Sequence, residues 1–393
     1  MQRVFPRCEE LFYPLRCALK DSFLPSLTEQ SITEELFQIL EKPTRMAGLG
    51  IRDPVQSSKY AFETSVKATI MLSNAIVNEG KIDIDIYERS LCAATAEMKK
   101  VKEDNDRSKL EELIELLPNN TSRKVRRILE SKCSTWLSIV PTMDNHFALS
   151  PDEFRDALSV RYLFSPKRIP DTCDGCGEHF DLTHALNCKK GGLVTARHNE
   201  ARDLNCDLNT LAGLHQIISE PVLQEPSDDQ PGLRADWKVR GFWEVQRDAL
   251  FDICILNADA SSLNNQNLQT IFDARKRLKK EKYSAIAAAK RASFTPIIAT
   301  CEAIFDKEAE VYMKRLATLL SKKWKSCYSR AVCYIRARMQ ICIHRSVSLC
   351  IRGSRTKWRG AGIIDSATIP MNILDLDLLS LILCFVLFFL ISR

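Results

Sequence analysis

The 393-residue sequence is poor in the residues that keep chains extended or unfolded. It has only 13 Gly and 15 Pro, while 45% of it is hydrophobic. That scarcity excludes collagen-like and low-complexity disordered classes, since there is enough apolar surface to offset the entropy of ordering. A sustained apolar run is also missing from residues 1–20, which carry Arg3, Arg7, Glu9, Glu10, Arg16 and Lys20 and so do not read as a secretory signal. The 15 cysteines are odd in number and, outside one loop, lack pair spacing, which points to a reducing compartment with no disulfide framework. A chain of this length predicts two or three units, each able to bury a core.

The formal net charge of +6 is unevenly distributed. Residues Arg275 to Gly360 hold 22 Lys and Arg against five Asp and Glu, a net of +17, which leaves −11 for the rest. A basic block of that density predicts a surface for an anionic partner, most commonly nucleic acid, although a solvated helical face gives the same count.

Apolar residues recur at helical spacing over Tyr60–Val77, Asp85–Val101 and Ser108–Leu117, and Pro118-Asn119-Asn120-Thr121 interrupts them. Ser150-Pro151-Asp152-Glu153 is a capping box with proline in the first turn, predicting a helix to about Tyr162. Short β-type runs follow at Gln216–Leu223, Ala235–Trp243, Ala249–Leu256 and Phe294–Thr300. Asp306–Ser326 and Arg330–Cys350 then read as amphipathic helices whose polar faces carry most of the basic block. Leu378–Ile391 is fourteen residues without a charge. That is short of the roughly 20 needed to span a bilayer, so the segment reads as a buried helix or as sequence outside the functional domain, with a tail anchor as the alternative.

Two constellations carry chemistry. In Cys173-x2-Cys176-x7-His184-x3-Cys188, three thiolates and an imidazole from one short loop can enclose Zn²⁺ tetrahedrally. Gly175 and Gly177 permit the bend, and His179 is a competing ligand. The alternative is a set of ordinary buried thiols. Further on, Asp236 and Asp252 stand on successive strand candidates, where two carboxylates can converge on Mg²⁺ for phosphodiester cleavage. Lys276, Lys279, Lys280 and Lys282 follow and can stabilise charge there. On spacing alone, two such aspartates equally suit turn or surface positions.

The order of these signals resembles a known family. Pro43-Thr44-Arg45-Met46-Ala47-Gly48-Leu49-Gly50-Ile51-Arg52-Asp53-Pro54 is similar to the segment just beyond the polymerase core of non-LTR retrotransposon reverse transcriptases. The CCHC loop, Arg197-His198-Asn199, Arg234-Ala235-Asp236, Phe251-Asp252-Ile253 and Lys282-Tyr283 resemble the C-terminal region of those elements that carry a restriction-like endonuclease. The resemblance covers roughly residues 30 to 360, and the ordered series is more specific than any single member.

The resemblance implies an α/β architecture: a helical post-polymerase, thumb-like region over 1–165, a zinc knuckle over 170–195, a PD-(D/E)xK mixed sheet flanked by helices over 196–300, basic helices over 301–360 and a hydrophobic tail over 361–393. It implies Mg-dependent nicking of target DNA, with Asp236 and Asp252 as metal-binding acids, Lys282 as the lysine and His198 as the family's histidine. Glu220, or Glu200, would be an additional carboxylate. DNA and the element's RNA are the implied partners, in the nucleus, and Arg197, Lys279, Lys280, Arg336, Arg338, Arg352, Arg355 and Lys357 are the implied nucleic-acid contacts. The sequence departs from the family in having Arg-Ala-Asp for Lys-Pro-Asp and Cys254 two positions after Asp252, so activity requires a displaced lysine. No aspartate pair of the polymerase type is present, which excludes a complete reverse transcriptase. A binding remnant without catalysis and a tail-anchored membrane protein are the alternatives.

Overall fold

The computed structural model describes residues 1–227, 231–263 and 266–356. Its first part is helical. Helix α1 (Tyr13–Ala18) runs through a π-helical turn into α2 (Leu24–Thr28), and α3 (Glu34–Leu40) follows. The chain then turns sharply: Gly48 lies against Lys42, where an added Cβ would be 1.9 Å from the carbonyl oxygen, so only glycine fits. Asp53 caps α4 (Pro54–Val77) by accepting from the Val55 amide at 2.8 Å and is held by Arg16 Nε at 2.8 Å.

The two predicted helices around residues 85–117 are one 33-residue helix, α5 (Ile84–Leu116). The polar stretch between them holds Lys, Glu, Asp and Arg but no Gly or Pro, and most of these residues are compatible with helix. The interruption at Pro118 is the joint to α6 (Asn119–Leu129). Helix α7 (Pro151–Tyr162) has the predicted capping box, with both reciprocal bonds formed by Ser150 and Glu153.

After the Cys/His loop and α8 (Leu182–Asn187), the chain enters α9 (Leu193–Leu211) and then six strands: β1 (Ile217–Ser219), β2 (Val222–Gln224), β3 (Leu233–Arg234), β4 (Trp237–Arg240), β5 (Asp248–Leu256) and β6 (Ser293–Thr300). Each of the runs predicted at 216–223 and 235–243 contributes to a four-stranded mixed sheet ordered β1-β4-β5-β6, while β2 and β3 form a separate ribbon. β1, β4 and β5 are antiparallel, with Trp237 opposite Phe251, and β6 is parallel to β5, with Pro296 opposite Asp252. The parallel crossover is made by α10 (Leu268–Ala289).

Alternation along β5 sends Ala249, Phe251 and Ile253 into one core and Leu250, Cys254 and Leu256 toward α10. The first core is aromatic. Trp237 stacks on Phe251 at 5.2 Å, and Tyr312 of α11 (Lys307–Trp324) stacks on Phe242 at 5.0 Å. Helices α5 and α6 cover the far end of the α10 side through Leu110, Ile114, Val125 and Ile128.

The last described helix, α12 (Tyr328–Arg352), differs from expectation. Its sequence reads as amphipathic with a basic outer face, yet it packs on α7, α8, α9 and α11, and Ala331, Ile335, Gln340, His344, Val347 and Cys350 are all buried. Two of its cations, Arg345 and Arg352, therefore bond inward, Arg345 to Ala148 O at 2.5 Å. Arg352 grips the fully buried Asp156 of α7 through two bonds of 2.8 and 2.7 Å, and Ser348 donates to the same carboxylate at 2.6 Å.

Candidate functional site

The Cys/His loop brings its four predicted donors together. The ligand atoms of Cys173, Cys176, His184 and Cys188 lie within 4.8 Å of one another. Cys188 Sγ is 3.9 Å from Cys173 Sγ and 4.0 Å from Cys176 Sγ, and Cys176 Sγ is 3.4 Å from His184 Nε2. These separations approximate the edges, about 3.5–3.8 Å, of a tetrahedron with metal–sulfur bonds near 2.3 Å, so the group could hold a metal ion such as zinc. His179 is not a member of the group.

Local hydrogen bonds shape the loop. The Cys173 amide donates to Glu178 O at 2.8 Å, and Gly177, with φ +79°, donates to Cys173 O at 2.8 Å. Against its burial, amides of Gly175 and Cys176 aimed at the Cys173 sulfur lower that thiol to about 6. Asp181 caps α8, accepting from the His184 amide at 2.6 Å and so orienting the imidazole's helix.

The sheet brings the two aspartates to one side. Asp236 immediately precedes β4 and its amide donates to Phe251 O at 3.0 Å. Its Oδ1 is 3.0 Å from His198 Nε2 on α9, and its Oδ2 accepts from the Ile253 amide at 2.5 Å. Asp252 points from β5 toward α10, where Lys279 Nζ lies 2.5 Å from its Oδ2. Tyr283, one turn further along α10, donates to Arg234 O at 3.0 Å and stacks on Phe294 at 4.7 Å.

Burial first, and the Asp236 charge second, push the Asp252 carboxyl above its ordinary range, with Lys279 pulling the other way. Against the cost of its own burial, the Asp252 carboxylate holds the Lys279 ammonium above its usual value. Burial, then Asp252, raises Tyr283 as well.

The lysines divide differently from expectation. Cys254, two residues beyond Asp252 on the same face of β5, cannot supply a cation, and Lys279 comes from the facing helix instead. Lys282 points outward, its ammonium 5.1 Å from the Tyr283 ring centroid, and makes no ion pair with either aspartate. Glu220 is next to Asp236, its amide donating to Asp236 O at 2.8 Å, but its exposed carboxylate is paired with Arg202, and Glu200 is exposed on α9. Lys276 sits 3.5 Å from Asp273 and 3.7 Å from Asp306.

Several residues expected to touch nucleic acid are instead structural. Arg197 is only 3% exposed and donates to Leu186 O at 3.2 Å and Ile255 O at 3.4 Å, joining the Cys/His loop to the sheet. Arg355 is 2% exposed, donates to Cys350 O at 2.8 Å and Ala185 O at 3.2 Å, and lies 4.7 Å over the Phe180 ring. Arg352 is held by Asp156, and Arg336 by Glu310 at 3.0 Å. Arg338 donates to Tyr334 Oη at 3.0 Å, and Lys280 is exposed beside Glu308. Lys357 and the 378–391 segment lie outside the described residues. Among the described residues, no helix is long and apolar enough to cross a membrane.

Asp174 had no role in the sequence reading. Its Oδ2 accepts from the Arg355 amide at 2.8 Å and Ser354 Oγ at 2.7 Å, clasping the loop to the chain after α12. Its only signal was an acid between the first two cysteines. Compared with known proteins, the sequence matches no family model and no curated protein.

Proposed function

We propose that this chain binds nucleic acid and nicks target DNA through a restriction-like endonuclease site, as a retrotransposon-derived protein acting in the nucleus. The observation that carries the reading is the convergence of Asp236, Asp252 and Lys279 at adjoining strands and the facing helix α10. The chain order of helix, three sheet strands each antiparallel to its neighbour, helix and parallel strand is compatible with a PD-(D/E)xK core, an analogy of fold that supports the reading.

Two carboxylates from neighbouring strands suit a hard dication. Burial first, and the Asp236 charge second, raise Asp252, and a bound dication would offset both, which supports Mg²⁺ as the ion Asp236 and Asp252 would hold. When bound, Mg²⁺ would supply water activation and charge neutralisation at the scissile phosphate. His198 and the Ile253 amide orient Asp236, and Lys279 places an ammonium where phosphate charge grows. Arg275 and Lys282, exposed on the same side of α10 as Lys279 at i−4 and i+3, suit a phosphodiester backbone. The Cys3His group, with four protein ligands, suits a closed structural zinc.

A specific observation favours a second reading, a binding module without catalysis: both Asp236 oxygens already accept hydrogen bonds, and Cys254 replaces the strand lysine. Supercoiled plasmid incubated with folded protein and Mg²⁺ separates the two. The nuclease reading expects relaxed circles, lost in Asp236→Ala and Asp252→Ala. Absence of nicking, with salt-sensitive DNA binding intact, leaves the binding module. Nicking that survives both substitutions sinks the assigned site.

A further inference from the structure

We propose a second anion site, remote from the two aspartates, in the hollow between α4, α5 and the 43–54 turn, which takes a run of phosphate groups. This goes beyond the nuclease reading and does not depend on it. The hollow has a volume of about 200 Å³, and Arg52, Tyr60, Lys99, Lys102 and Lys109 are among its lining residues.

Its charge balance is the argument. Every carboxylate lining the hollow is taken: Asp53 by Arg16, Glu103 by Arg45, and Glu41 and Asp106 by Lys42 at 2.9 and 2.8 Å. Among the described residues, no carboxylate lies within ion-pair distance of Arg52, Lys99, Lys102 or Lys109. Seven cations and four carboxylates line the hollow, an excess of three positive charges, and Asp106 and Glu41 act on Lys102 only through space, without an ion pair. Lys102 is the innermost, half-buried with its ammonium 5.7 Å from the Tyr60 ring centroid, and the Tyr60 hydroxyl is fixed by Asn105 Nδ2 at 2.7 Å. Burial first, and the nearby Arg52 charge second, lower its pKa against the pull of Asp106 and Glu41.

The spacing selects the ligand. Lys99, Lys102 and Lys109 span eleven residues of α5, a row about 15 Å long, while a single phosphate or carboxylate covers only part of that. Arg52 adds a fork suited to two phosphate oxygens. The shared chemistry is therefore consecutive phosphates, supplied by a nucleic acid strand or by a free polyphosphate.

The test uses the full chain, a short fluorescent single-stranded oligonucleotide and inorganic tripolyphosphate. Acetylation of Lys102, followed by mass spectrometry, should slow at least about fivefold when a phosphate ligand occupies the hollow, and this needs no variant. In Arg52→Glu/Lys102→Glu, oligonucleotide affinity should fall at least about tenfold, and the salt slope should drop by about one per lost contact. Protection by both ligands, or by tripolyphosphate alone, makes free polyphosphate a source; protection by the oligonucleotide alone identifies a strand. If neither ligand protects Lys102, the proposal is overturned, whatever the variant does. Plasmid nicking is measured separately, and its loss or survival leaves this result standing.

Discussion

Lys279 Nζ sits 2.5 Å from Oδ2 of Asp252, reaching across from α10 to a strand that carries Cys254 where a lysine is expected. The cation beside Asp252 is supplied by the facing helix and not by the strand. Because the pair is largely buried, removing one partner leaves the other poorly solvated.

Lys279→Ala should therefore reduce plasmid nicking by about 10²-fold, the scale of losing one preorganised charge-stabilising group. Lys282→Ala, whose ammonium faces solvent over Tyr283, should change it less than about threefold. Relaxed-circle formation rates decide. Equal losses in both variants would return the role to the exposed lysine.

The Cys/His loop should bind one zinc per chain, measured by elemental analysis. Removing it with a strong chelator should lower the melting temperature by at least about 5 °C, because metal binding here contributes folding energy. Cys188→Ser should abolish retention and His179→Ala should not, since only the former lies in the four-atom cluster.

His344 predicts an acid sensitivity. It is buried with its ring 4.5 Å from that of Trp136, neither ring nitrogen has a hydrogen-bond partner, and burial lowers its pKa to about 3. The unfolded chain takes up this proton near pH 6.5 and the folded chain only near 3. Stability is thus lost as pH falls through that interval, at about 1.4 kcal/mol per pH unit from this group. His344→Leu should keep the fold at pH 7 and flatten the stability profile between pH 6.5 and 5. An unchanged slope in denaturant melts would mean that other groups set it.

Lys124 on α6 is 1% exposed and bonds Glu302 at 2.8 Å and also Asp259, which Arg127 reaches too. Lys124→Met should cost about 3–5 kcal/mol in urea unfolding by leaving the buried Glu302 with only Arg127, at 3.7 Å, and Lys124→Met/Glu302→Leu should recover much of it. A double variant no better than the single would show that packing, not the stranded charge, sets the cost.

What the sequence made legible was local. The Ser150–Glu153 box names its own helix start, the Cys/His spacing names its four donors, and β5 and β6 read as apolar runs because β5 is central in the sheet and β6, at its edge, is covered by α10 and α11. What it hid depends on tertiary neighbours. A buried arginine has the same letter as a DNA-binding one, and only the carbonyls of Leu186, Ile255, Ala185 and Cys350 show Arg197 and Arg355 to be internal fasteners. The choice among four lysines in α10 likewise turns on helix phase against β5, since Asp252, Cys254 and Leu250 face that helix together.

The placement of α12 bears on how this chain can be cut. One helix supplies Ile341 to the interior shared by α2, α3 and α7, Ile343 and Val347 to that beneath the Cys/His loop, and Ile335 and Met339 to that behind the sheet. A boundary drawn at residue 300 severs all three from a common wall. Expression trials of the sheet alone should yield insoluble material unless residues up to about 356 travel with it, so the smallest portable unit of this gene is set by its last described helix and not by its motifs.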